Sequence, residues 1–418
     1  MQLSELYPRH HQRYSSLPIF GSVIEGFATW LFDNGYPRHR VRMHFRKARV
    51  IDDAVRHHGC GKLDDLTRDV LQACLPTNSQ DDADLNAAVR TLERFLDERN
   101  VLPPPAPPTR SEVLVGRYGS FLEQNRGLAG TTVTHHMRTA AELLEHLSYE
   151  TTSARLTQID AGDLETFVCL IAPRLSRESL QHEVAHLRAL MRFLAAEQLV
   201  TPGLDAQFDT PRLYRRERLP RALPWEIVRA FLRSIDRKTS LGRRDYAIFL
   251  LITTYGLRAC EVVDLTLEDI DWRKNTLRIP QRKTRSPLLL PLLNSVGNAL
   301  VDYLRHARPS FSYREVFLRA RAPAGTLKPT AVTEAFQGWS KRSELNIPFH
   351  GAHCLRHAYA THLLRSGVPL KTIGDILGHR SAESTCVYLR LAVEDLRDVA
   401  LSLPAGIERP DFDEGARR

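Results

Sequence analysis

Apolar residues recur at helical spacing through the first hundred positions. Ile24, Phe27, Trp30 and Leu31 predict an amphipathic helix over residues 23–32 that ends near Asn34-Gly35. Pro37 suits the first turn of a second helix. Behind it Val41, Phe45, Ala48, Ile51 and Val55 fall on one face at spacings of four, three, three and four. Further helices are expected near residues 66–75 and from Leu85 through Val89, Leu92, Phe95 and Leu96 to Leu102. Residues 1–20 are polar and aromatic and read as a partly ordered arm. Pro103-Pro104-Pro105-Ala106-Pro107-Pro108 cannot be helix, so it reads as a stiff spacer and a domain boundary.

The pattern then repeats. Tyr118, Phe121 and Leu122 echo Phe27, Trp30 and Leu31, and Val133, Met137, Ala140, Leu143 and Leu147 echo the face from Val41 to Val55. His136 matches His44, Arg138 matches Arg46, and Arg192-Phe193-Leu194 matches Arg94-Phe95-Leu96. Any two amphipathic four-helix stretches can be aligned, but here every element keeps its order. A tandem duplication of a four-helix domain is the expectation, with copies at 1–102 and 111–201 joined by the linker 103–110.

A second linker, 202–224, carries Pro211, Pro220 and Pro224 among Arg212, Arg215, Arg216 and Arg218. It suits a chain running along a polyanion, and equally a solvated connection. From Trp225 the pattern changes. An apolar helix is expected over 245–254, with Gly256 allowing a turn into Arg258. Strands at 276–280 and 288–292 pair as a hairpin with Lys283 near its tip. Helices follow at 295–306 and 331–345, and a short amphipathic one at 393–403 closes a domain over 225–403. Residues 404–418 read as a disordered tail. The fold class is mainly α with a small β-sheet.

Charge alters this picture. Lys and Arg total 58 against 49 Asp and Glu, a formal net charge of +9, which suits a polyanionic partner. The helix behind Pro37 concentrates the excess: Arg38, Arg40, Arg42, Arg46 and Lys47 share its polar face with few acidic neighbours in sequence. That face is a candidate phosphate contact or simply a solvated surface. Six scattered cysteines without a Cys-x-x-Cys pair fit a reducing compartment. No run approaches the ~20 apolar residues that span a membrane, and the N-terminus lacks a signal pattern. A cytoplasmic, DNA-associated protein is expected.

The chemistry concentrates late in the chain. His353-Cys354-Leu355-Arg356-His357 places an arginine between imidazoles at the start of an apolar helix run. An arginine fork grips two phosphate oxygens, and a helix start favours an anion. Asp375-Ile376-Leu377-Gly378 reads as a helix end with a left-handed glycine cap, followed by His379 and, nine residues on, Tyr388. Nucleophile, cations and acid are the parts that phosphodiester cleavage needs.

Together these pieces resemble the second box of the tyrosine recombinases, the phage integrase family. Thr254-Tyr255-Gly256-Leu257-Arg258-Ala259-Cys260-Glu261 through Leu265 resembles its first box. Thr276–Pro280, Lys283 and Leu290-Pro291-Leu292 resemble its lysine hairpin, where Arg282 and Arg285 are neighbours that could be mistaken for the lysine. The resemblance covers roughly residues 110–402. It implies two SAM-like core-binding-type domains, the first an extra one, ahead of an α+β catalytic domain.

For the site the resemblance implies Tyr388 as nucleophile, Arg258 and Arg356 on the non-bridging oxygens, and His379 as a further donor. Lys283 would be the acid, and His353 would assist proton removal from Tyr388. No cofactor, ATP or metal is implied. The partners implied are double-stranded DNA and a homo-tetramer, or a hetero-tetramer with related recombinases. DNA-binding candidates are Arg38, Arg40, Arg42, Arg46, Lys47, Arg138, Arg215, Arg216, Arg282 and Arg285. A mobile-element task (integration, excision or transposition) is favoured over dimer resolution by the extra domain.

Rival readings remain. A type IB topoisomerase would use similar residues, and a catalytically idle relative would use the same fold. A metal-dependent nuclease would recruit the histidines, although their spacing suits no single helix face with a carboxylate partner. His357 and His362 read as structural or DNA-facing, Tyr359 as core, and Glu261 as a structural partner for a cation.

Overall fold

The computed structural model describes residues 5, 11–75, 82–104, 107–210, 221–280, 288–378 and 381–391. Two compact units emerge: Met1–Pro103 together with Arg218–Arg418, and Pro104–Glu217.

The first domain comprises α1 (His11–Ser15), α2 (Ile24–Asp33), α3 (Arg38–His57), α4 (Arg68–Ala73) and α5 (Ala83–Glu98). The apolar faces read from the sequence close over one core, with Phe27, Phe45, Ile51 and Phe95 all at most 2% exposed. Phe27 packs on Phe95 with ring centroids 5.1 Å apart and planes at 45°. Part of the expected arm is not an arm. Tyr14, Ile19 and Phe20 are buried in this core. The buried carboxylate of Asp52 accepts hydrogen bonds from the Ile19 and Phe20 N–H groups, each at 3.0 Å. The polarity of the surrounding residues hid this anchor in the sequence.

The second unit holds α6 (Arg110–Gln124), α7 (Gly130–His146), α8 (Ala154–Thr157), α9 (Ala161–Ile171) and α10 (Arg177–Ala196). Helix α6 starts on a capping box: Thr109 N–H donates to Glu112 at 2.8 Å, and Glu112 N–H to the Thr109 hydroxyl at 3.2 Å. Tyr118 packs on Phe193 at 5.1 Å and 39°, the geometry of Phe27 on Phe95. Gly35 and Gly127 are both left-handed after their helices, and so are Asn100 and Gln198. His44 on α3 and His136 on α7 are both buried.

The remaining domain runs from α11 (Trp225–Ser234) and α12 (Ser240–Tyr255) through α13 (Ala259–Val263) to three strands. β1 (Ile270–Asp271), β2 (Thr276–Ile279) and β3 (Leu288–Pro291) form an antiparallel sheet in that order, with Leu277 opposite Leu290. Then follow α14 (Asn294–His306), α15 (Pro329–Arg342), α16 (His353–Arg365), α17 (Leu370–Leu377) and α18 (Ala382–Cys386), with a 3-10 turn over Val387–Leu391. Helix α12 is buried on most sides, as Ala247, Ile248, Phe249, Leu251 and Ile252 show, and so sits at the centre. Its Asp245 is held by Arg244 and by the Trp339 indole N–H at 2.9 Å. The hairpin tip with Arg282, Lys283 and Arg285, the linker residues Arg215 and Arg216, His379, and the helix and tail expected beyond 392 lie outside the described residues.

Candidate active site

The site forms where α12, α13, α16 and α17 end or begin. Gly256 terminates α12 with φ +65, and a Cβ there would lie 2.5 Å from Leu377 and 2.8 Å from Tyr359. Only glycine combines that dihedral with that closeness. Its carbonyl accepts a hydrogen bond from Arg356 Nη1, and Arg356 Nη2 donates to the Leu377 carbonyl at 2.7 Å. Arg356 lies in the first turn of α16, 2% exposed. Burial, and then the charge of Arg258, lower its pKa to about 10, so it stays a cation near neutral pH.

Arg258 caps α13. Its N–H donates to Glu261 Oε2 at 2.8 Å, and its Nη1 to Glu261 Oε1 at 2.6 Å. Glu261 is 3% exposed and serves as the structural partner of this cation. Arg258 Nη2 reaches the carbonyl of Gly378, the left-handed cap of α17, at 3.4 Å. Thus both arginines are tied to consecutive carbonyls of one helix end.

Tyr388 is 2% exposed and joins the small core of Ala360, Ile373 and Leu377. Burial raises its pKa, while Arg356 and Arg258 act in the opposite direction. Its hydroxyl lies 3.0 Å from His357 Nδ1. The motif alone assigns that place to His353 and leaves His357 structural or DNA-facing. In the structure His353 is exposed and meets the His357 ring edge-on at 4.5 Å. The two histidines are one helical turn apart, so both face the same way. That spacing is the signal for His357 in the sequence. His362 stacks flat on Trp225 at 4.2 Å, and Tyr359 is part-buried against the Tyr388 core.

The structure thus brings together Arg258, Arg356 and Tyr388, with His353 beside them and His357 added. Chemically this is a hydroxyl beside two guanidiniums and an imidazole. Each guanidinium nitrogen bound to a carbonyl keeps a second N–H for an anion. Among the described residues no group of three or more His, Cys, Asp or Glu side chains is placed to hold a metal. Nor is any helix long and apolar enough to cross a membrane.

The basic face of α3 needs correction. Arg40 pairs with Asp84 at 2.9 Å and Lys47 with Asp82 at 2.5 Å. These carboxylates arrive from the start of α5, remote in sequence, which is why the face looked unopposed. Arg38, Arg42 and Arg46 are exposed, and with His39 they line an open groove. In the second unit Arg138 pairs with Glu183 at 2.9 Å.

Comparison with known proteins places this geometry. Residues 223–395 match the Phage integrase family, and residues 115–198 match the Phage integrase, N-terminal SAM-like domain. A Sinorhizobium fredii protein, y4rA, described as an integrase/recombinase, is 31% identical over 383 residues, covering 90% of this chain and 93% of the relative. Tyrosine recombinase XerD of Listeria innocua is 28% identical, covering 68% of this chain and 96% of the relative. The structure of a lambda integrase dimer bound to a COC' core site shares the fold with a TM-score of 0.52 at 18% identity, covering 72% of this chain and 86% of that one. The chain belongs to the phage integrase family of tyrosine recombinases.

Proposed function

We propose that the protein cuts and rejoins duplex DNA at specific sites through a 3′-phosphotyrosyl intermediate, in the integration, excision or transposition of a mobile element. The observation that carries this reading is the Tyr388 hydroxyl beside Arg356 and Arg258, all three on family motifs. Tyr388 Oη attacks phosphorus, the P–O5′ bond breaks, and the 5′-oxygen leaves as a hydroxyl. His357 takes the phenolic proton and returns it on rejoining. Arg258 and Arg356 bind the non-bridging oxygens, where charge builds in the transition state.

His353 is exposed beside His357 and supplies a further hydrogen bond to the phosphate. Lys283 and His379, outside the described residues, are assigned by motif as the acid for the leaving oxygen and as a further donor. Arg282 and Arg285 on the same hairpin, and Arg215 and Arg216 in the linker, are assigned to the DNA backbone on sequence alone. The rejoining conserves the phosphodiester, so the scheme draws on no ATP, and the protein's own cations serve as electrophiles.

Duplex DNA is the substrate of this scheme, and four protomers on paired sites are its assembly. A lambda integrase tetramer bound to a Holliday junction, sharing the fold at a TM-score of 0.50, supports that assembly. A Tn1549 transposon integrase in complex with a circular intermediate DNA, at a TM-score of 0.51, supports the mobile-element role. The experiment is covalent trapping on nicked duplexes in EDTA. A protease-sensitive, slow-migrating species with the wild type and none with Tyr388→Phe supports the scheme. Relaxation of plasmids that lack any special site would favour a topoisomerase instead.

A further inference from the structure

We infer that the first domain and a loop of the catalytic domain together form a second surface for the phosphates of duplex DNA, separate from the catalytic centre. This rests on the reading that the protein acts on DNA. It goes further by assigning a binding role to a domain that lies outside the stretches, 115–198 and 223–395, matched to the family.

The first observation is a contrast between two similar domains. Their matching ring geometries, left-handed residues and buried histidines support reading residues 1–102 and 111–201 as copies. On that register Arg46 corresponds to Arg138. Arg138 is opposed by Glu183 at 2.9 Å and Glu142 at 3.9 Å. The corresponding positions in the first domain are Leu85 and Val50. Val50 is 48% exposed and brings no negative charge to Arg46. Among the described residues no carboxylate pairs with Arg38 or Arg46. Arg38, Arg42 and Arg46 recur every fourth residue along one groove, a row of cations on a single helix face.

The second observation is that this domain is fixed to the catalytic domain. The Ala324 N–H donates to the Asn34 carbonyl at 2.8 Å. Ala322 packs against the first domain's core. Gly35, with φ +77, lies so close to Phe311 that a Cβ would stand 2.7 Å from its ring. The cleft at this junction collects Arg40, Arg90 and Arg94 from the first domain and Arg321 from the catalytic domain, with Asp84 as the opposing charge. Two basic grooves therefore adjoin the same helix, and one of them is completed by the catalytic domain. Extended cation rows suit a phosphate backbone, which needs charge and carries no sequence information.

The test uses the full chain and a fluorescent mixed-sequence duplex, with affinity measured against salt. Three variants are compared: Arg38→Gln/Arg42→Gln/Arg46→Gln, Arg321→Gln, and Leu85→Glu, which gives Arg46 the carboxylate that Arg138 has. We expect the triple variant to lose roughly ten- to hundredfold in affinity and the log–log salt slope to fall by about 2 to 3. Arg321→Gln and Leu85→Glu should each lower the slope by about 1. Melting temperatures unchanged from the wild type separate these losses from misfolding. Unchanged affinity and slope in all three, with folding intact, would overturn the inference, and so would a loss for the triple variant alone. Covalent trapping on nicked duplexes is read in parallel. Trapping with unchanged slopes leaves the proposed function standing without this surface. Slopes that fall while no tyrosyl adduct forms leave this surface standing and remove the proposed cleavage.

Discussion

His357 Nδ1 lies 3.0 Å from the Tyr388 hydroxyl, and Tyr388 is 2% exposed. An imidazole at a buried phenol can either accept its proton or hold it in store. As base, His357 contributes a factor of about 10² to 10⁴ to cleavage. His357→Ala should therefore slow single-turnover cleavage of a nicked duplex at neutral pH. The deficit should shrink as pH rises, because phenolate then forms without help. Faster cleavage by the variant would instead mark His357 as a latch.

Glu261 orients Arg258 through both its backbone N–H and its guanidinium. Removing one partner of a buried pair costs about 3 to 5 kcal/mol, because the other charge is left unpaired. Glu261→Gln keeps the shape and one acceptor, so a loss of about 1 to 3 kcal/mol is expected in urea unfolding. Cleavage at saturating DNA should fall further than affinity does, since the proposed scheme places Arg258 on the transition state.

Gly256 joins three requirements: a left-handed dihedral, contact with Leu377 and Tyr359, and a carbonyl for Arg356. Gly256→Ala should destabilise the protein by more than about 1 kcal/mol. It should also abolish detectable phosphotyrosyl formation while DNA binding persists.

Two buried histidines make stability depend on pH. Burial, with help from Arg40 at His44 and from His186 at His136, lowers both pKa values from 6.5 to about 4. The unfolded chain therefore binds more protons between pH 6.5 and 4. The stabilisation is fully present above pH 6.5 and is lost progressively as pH falls toward 4, at most about 3 kcal/mol for each group. Thermal melts from pH 8 to 4 should show a plateau and then a decline. His44→Gln should flatten the decline for the first domain only.

Local signals were legible in the sequence, and long-range ones were not. The helix faces from Val41 to Val55 and Val133 to Leu147, the glycine caps at 256 and 378, and the pairing of β2 with β3 follow from periodicity and turn chemistry. Asp82 and Asp84 neutralise Lys47 and Arg40 from a helix start some forty residues away, which no local window shows. The anchoring of Ile19 and Phe20 by Asp52 and the closeness of Gly35 to Phe311 are likewise products of tertiary packing. In the site the motif named the arginines and the tyrosine. Only the placement of the last helices decided which imidazole meets the hydroxyl.

The decisive experiment is covalent trapping in EDTA on nicked duplexes that span the ends of the DNA element beside the gene, with wild type against Tyr388→Phe. The expected result is a slow-migrating, protease-sensitive DNA species with the wild type alone, carrying a 3′-phosphotyrosyl bond and leaving a free 5′-hydroxyl. An equal yield of that species from Tyr388→Phe, or cleavage that EDTA stops, would contradict a tyrosine nucleophile working without metal.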